Sequence, residues 1–186
     1  DLDVAPDSTV YASGRADVGY LAPDSTGALQ YVSLVHHIPE AQRPQDSFVS
    51  VGVEPDGSHV YYAWRDLLYV WDGTEMSIVR GSEHFPDAER VWFYMFHRTN
   101  DALYLAGRPH PLVRLDDGVL HPLPSHGSEA AGTVITDLFW HDAAWHAIAA
   151  NDRGIFRFDG TRLRPADLQL PRILASEPAP DAVALP

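Results

Sequence analysis

Short apolar runs that alternate with polar residues recur along the whole chain, and no window carries sustained helical spacing with caps. In residues 155–158, Phe156 and Phe158 fall on one side and Arg157 on the other. Residues 112–115 repeat the pattern, with Val113 and Leu115 around Arg114. A period of two in runs this short predicts strands with one face buried. The 15 prolines and 13 glycines are spread throughout, as many short turns require.

The runs form a repeat. VYYAWRDLLYVWDGTEMSIV from Val60, LYLAGRPHPLVRLDDGVLHPL from Leu103 and WHAIAANDRGIFRFDGTRLRP from Trp145 share one order of features. Each has an apolar run, a short polar break, an alternating run, an Asp-Gly turn and a third run. VYASGRADVGYLAPDSTGALQYV from Val10 is a weaker copy. Asp24, Asp72, Asp116 and Asp159 align as turn residues, 43–48 residues apart. An apolar segment precedes each copy, at Leu2 to Ala5, Phe48 to Glu54, Val91 to His97 and Val134 to His141. A unit therefore reads as a four-stranded antiparallel meander. A period of about 40–50 residues with short strands is the signature of a propeller blade. One meander cannot bury both faces, whereas copies stacked around an axis can.

The expected fold is an all-β β-propeller of four repeated four-stranded antiparallel blades, at about residues 1–35, 48–80, 91–123 and 134–165. Residues 166–186 read as a Pro/Ala-rich C-terminal extension or latch. Within them SEPAPDA (176–182) matches SEHFPDA (82–88) in five of seven positions. The turns LYVWDGT (68–74) and IFRFDGT (155–161) resemble those of bacterial β-propeller repeats, and the resemblance covers about residues 1–165. It is to a repeat type and lacks the Gly-His element of WD repeats. It implies a fold and no function, because propellers host many unrelated activities. The ring could close with four blades, or a homodimer could complete a larger ring, or the chain could be a piece of one. Asp1 in place of Met fits a removed leader or such a piece.

Composition narrows the function. Hydrophobic residues make up 45% of the 186, enough for a packed core. Cysteine is absent, which excludes disulfides, thiolate zinc sites and a Cys nucleophile. The formal charge is −13 and all 13 basic residues are Arg, so no nucleic-acid surface is expected; the charge reads first as a solubilising surface, and a basic protein partner is the other reading. No run of about 18 apolar residues predicts a membrane span. No feature specifies a compartment.

Candidate chemistry sits in the loops between second and third strands and in the connectors between blades, which share one end. Arg15, Arg65 and Arg108 lie four residues after Tyr11, Tyr61 and Tyr104, and Arg153 lies in the equivalent loop. An Arg from each blade would form a partial cationic ring suited to a carboxylate or phosphate. The alternative is local pairing with Asp17, Asp66 or Asp152. His110 shares the loop of Arg108, and Trp92 and Trp140 are the aromatics least constrained by the repeat. His36, His37 and Glu40, and also His141, Asp142 and His146, are of ligand type, but no zinc-like spacing occurs. No metal and no cofactor is expected. Ser125-His126 and His141-Asp142 lie in no recognisable catalytic motif. The leading expectation is a non-catalytic interaction module that binds a protein partner through its loop face, as an inhibitor or immunity-type protein would. A carbohydrate-binding propeller is the first alternative, and a hydrolase or lyase with a loop-borne His/Asp site is the second.

Overall fold

A computed structural model describes residues 1–45, 50–123, 133–150 and 154–166. The strands of the first sheet are β1 (Leu2–Val4), β2 (Val10–Gly14), β3 (Asp17–Pro23) and β4 (Leu29–Ser33). The second sheet holds β5 (Ser50–Val53), β6 (Val60–Trp64), β7 (Leu67–Trp71) and β8 (Met76–Arg80). The third holds β9 (Trp92–Arg98), β10 (Leu103–Arg108), β11 (Leu112–Asp116) and β12 (Val119–Pro122). The fourth holds β13 (Ile135–His141), β14 (Ala144–Ala149), β15 (Ile155–Phe158) and β16 (Leu163–Pro165). Every sheet is an antiparallel meander in chain order. Among the described residues, two 3-10 turns (Val35–His37 and Glu40–Gln42) lie in the first connector and one short α-helix, α1 (Gly81–His84), in the second. Among the described residues no helix is long and apolar enough to cross a membrane. The predicted extension 166–186, beyond Ala166, lies outside the described residues.

The repeat alignment holds in the strand registers. Val60 pairs with Trp71, Leu103 with Leu115 and Trp145 with Phe158. Alternation then gives each sheet two faces, and the middle sheets bury both. In the second sheet Val60, Tyr62 and Tyr69 pack on Val18, Leu34 and Ile38 of the first blade. Tyr61, Ala63 and Val70 pack on Leu103, Leu105 and Val113 of the third. Tyr104, Ala106 and Leu112 pack on Ala147, Phe156 and Phe158 of the fourth. Both faces of β6 and β7 are therefore apolar, whereas a sheet solvated on one side would alternate. Among the described residues no core cluster joins the fourth sheet to the first. The four-blade layout is an open arc.

Polar contacts reinforce each junction. The Asp1 carboxylate accepts from Ser50 Oγ at 2.7 Å and from the Val51 N–H at 3.2 Å. Asp3 accepts from the Val53 N–H at 2.8 Å and pairs with Arg98 at 3.2 Å. The Gly118 N–H donates to the Tyr61 hydroxyl at 3.0 Å, and the Tyr104 hydroxyl donates to the Gly160 carbonyl at 3.3 Å. A tyrosine at one repeat position thus reaches the glycine turn of the following blade twice.

Candidate functional site

The connector end is built from the β2–β3, β6–β7 and β10–β11 loops and the segments that join the sheets. Arg15 and Arg108 are exposed and enter no ion pair among the described residues. Arg65 has a left-handed backbone (φ 57°), and its guanidinium lies 4.9 Å from the Trp64 ring. Arg90 covers Trp92 in the same way, at 4.6 Å. Arg65, Arg90 and Trp92 line one cleft of about 300 Å³ between the second and third blades. Beside it, Phe85, Pro86, Pro109, His110 and Pro122 line a more apolar groove of about 460 Å³. Ala88 lines both, so the two form a continuous surface. The Phe85 and His110 rings are 5.1 Å apart.

The candidate residues are thus divided. Arg65 and Trp92 share a cleft and His110 lies in the neighbouring groove, whereas Arg15 lines neither. Trp140 is at the opposite, turn end, because it closes β13 just before the β13–β14 turn. It is 57% exposed, meets Trp145 edge to face at 5.5 Å, and lines a cleft of about 290 Å³ with Asp101, Asp159 and Arg157. Arg153, Asp152, Ser125 and His126 lie outside the described residues. Arg90 and the Phe85 groove are absent from the expectations above. The spacing of Arg90 and Trp92 was a usable signal, because residues two apart on an extended segment project to one side.

The turn end carries the Asp-Gly turns, and their aspartates are engaged locally. Asp72 Oδ1 accepts from the Thr74 N–H, the Thr74 hydroxyl and the Glu75 N–H, each at 2.8 Å. These bonds, led by the one from Glu75, hold the Asp72 carboxyl down at about 2. Asp159 and Asp24 accept from Thr161 and Thr26 in the same fashion, and their carboxyls are likewise lowered. The third blade solves its turn differently: Asp117 and Gly118 take left-handed φ of 50° and 76°, and no Thr follows.

The His36 and His37 rings are 4.1 Å apart, and His37 also lies 4.8 Å from Trp71. Among the described residues no three His, Asp or Glu side chains converge as metal ligands. His141 Nε2 is 3.3 Å from Asp142, and its ring is 6.1 Å from His146. Burial pushes His146 down, and the nearby His141 and Arg157 add to this. Around buried Glu54, Ser58 Oγ and His59 Nδ1 approach the same Oε2, at 2.5 and 3.0 Å. Tyr61 donates to the other carboxylate oxygen. Ser58 meets His59 on the nitrogen that already faces the carboxylate. A nucleophile-base-acid relay needs the hydroxyl on the opposite ring nitrogen. The group is a structural anchor beneath the β5–β6 turn.

No family model matches the chain, and no curated protein matches it. Solved structures do. The chain is similar to the extracellular domain of a hybrid two-component system from B. thetaiotaomicron, with TM-score 0.53 and 14% identity, over 88% of this chain and 21% of that one. It is also similar to the Swd1 β-propeller domain from Myceliophteria thermophila, with TM-score 0.51 and 15% identity, over 87% of this chain and 52% of that one. The chain spans well under two thirds of either structure. At such identities the likeness shows the fold, a β-propeller, and that alone.

Proposed function

We propose that the protein is a non-catalytic β-propeller module that binds a protein partner through its connector end. The observation that carries this reading is the continuous surface around Ala88. It joins an Arg65–Arg90–Trp92 cleft to the apolar groove of Phe85 and His110. Arginine and tryptophan dominate the energetics of protein interfaces, and stacked guanidinium groups are partly pre-ordered. Asp66 and Glu89 line the cleft beside the two arginines, so it presents both signs of charge next to a groove that suits an apolar side chain. A basic partner finds its argument only in the overall charge of −13, which would steer encounter.

The test is affinity capture from an extract of the source organism, with wild type beside Arg65→Glu/Arg90→Glu and Trp92→Ala, all confirmed folded by circular dichroism. A protein retained by wild type and weakened about tenfold or more by the variants supports the reading. Equal retention by all three sinks it.

A second reading rests on Trp140. An exposed indole over a cleft with two carboxylates and an Arg is the chemistry of a sugar subsite. Glycan titration should quench tryptophan fluorescence in wild type and not in Trp140→Ala. A flat titration across neutral and acidic glycans removes this reading.

A further inference from the structure

One cleft at the turn end, between the third and fourth blades, sets indoles against carboxylates. Trp140 of β13 pairs with Trp145 of β14, so both side chains fall on one face of the fourth sheet. Trp145 packs on the core that the third and fourth sheets share, so that face is turned to the third blade. The two rings meet at 5.5 Å with 71° between their planes and form an L-shaped wall, of which Trp140 is the exposed limb. Tyr104 and Phe158 are buried, edge to face at 5.0 Å, and close the floor.

Asp101 and Asp159 line the same cleft, one from each blade. Asp101 sits in the β9–β10 turn, where its Oδ1 accepts from the hydroxyl of buried Thr99 at 2.9 Å. Asp159 is the turn aspartate of the fourth blade, and its three bonds all end on Oδ1. Among the described residues neither carboxylate enters an ion pair, and the Oδ2 of each accepts no hydrogen bond. The two converge on Tyr104: burial raises its phenol, and both aspartates add to this against Arg114. Arg157, the one cation among the lining residues, alternates with Phe158 and projects from the other face of the sheet, where its charge acts on His146. Arg164 acts on Asp159 from outside the lining. The carboxylates are therefore the charge that the cleft presents to an occupant.

We infer that this cleft takes one ring of an amino sugar, with its protonated amine at Asp101 and Asp159 and its C–H face on Trp140. The inference rests on the reading of Trp140 as part of a sugar subsite and names the class of sugar. An ammonium N–H makes charge-assisted bonds to carboxylate oxygens that have no other donor, and such bonds are about twice as strong as neutral ones. The indole faces attract the same cation through their quadrupoles. A uronate would instead bring a third carboxylate to a site that already holds two. At about 290 Å³ the cleft lies at the lower end of small-ligand sites and matches one ring rather than a chain. It is at the opposite end from the Arg65–Arg90–Trp92 cleft and independent of that reading.

Isothermal titration at pH 6, where the sugar amine is protonated, compares the β-1,4-linked dimer of glucosamine with its N,N′-diacetylated counterpart and with a galacturonate dimer. Wild type should bind the amine about tenfold or more tighter than either. Asp101→Asn/Asp159→Asn keeps the side-chain oxygens that accept from Thr99 and Thr161, and circular dichroism checks that the turns hold. It should bring the amine down to the affinity of the acetylated dimer and leave the latter unchanged. Asp101→Asn alone, on an exposed side chain, should still cut the preference about threefold, and reads the same effect if the double variant does not fold. Trp140→Ala should weaken both sugars alike. Equal wild-type affinity for the amine and the acetylated dimer, or a preference for galacturonate, overturns the inference and leaves the sugar reading standing. A preference for the amine that survives in the Asn variants also overturns it, since the general acidity of the surface would then hold the cation. No heat with any of the three removes both.

Discussion

Tyr61 performs two tasks with one hydroxyl: it donates to buried Glu54 and accepts from the Gly118 N–H of the next blade. Burial and the adjoining carboxylate push its phenol well above the usual range, so it stays protonated as a donor. Tyr61→Phe removes a donor from a buried charge and orphans an amide. Urea unfolding should show a loss of about 1–3 kcal/mol. Tyr104→Phe loses one longer bond and should cost under about 1 kcal/mol. His97 gives a pH test. It is buried, with Nε2 unpartnered, and burial holds its pKa below 6.5. Above 6.5 both folded and unfolded chains carry it neutral, and stability is at its plateau. Below 6.5 the unfolded chain gains a proton that the native state takes up less readily. Stability therefore falls as pH drops from 6.5 to the folded pKa, by at most about 1.4 kcal/mol per pH unit. His97→Gln should flatten that part of the stability profile, read from urea midpoints between pH 7.5 and 5.5.

The sheets meet closely enough that single atoms decide the fit. A Cβ on Gly52 of β5 would lie 2.5 Å from Phe96 Cγ on β9. Gly52→Ala should destabilise by about 1–3 kcal/mol, because both strands are held by their own ladders and cannot retreat. The strands themselves were legible in the sequence, since the alternation of Phe156, Arg157 and Phe158 is a local signal. The repeat spacing of Asp24, Asp72, Asp116 and Asp159 carried the blade count. The junction chemistry was not legible. Asp1, Asp3 and the Tyr61–Gly118 bond act between residues 49 to 57 positions apart, where no local pattern reports a partner. The arginine loops were visible as a repeated position, but their neighbours were set by how adjacent sheets pack. That packing brings Arg90 and Trp92 to Arg65 and leaves Trp140 at the other end.

The whole molecule carries a formal charge of −13. Added salt should therefore slow its encounter with any oppositely charged partner, as stopped-flow association rates at low and high salt would read.

Because the core clusters join each sheet to its immediate neighbours, with Arg98 the one described ion-pair link from the third sheet back to Asp3 of the first, the chain behaves as a short one-dimensional polymer, with two interior links held from both sides and two terminal links held from one. Deuterium uptake in isolated chains should reflect this as a gradient, slowest in β6, β7 and β10 and fastest in β1, β4 and β16. A force applied between the termini should peel blades from the outside inward in steps.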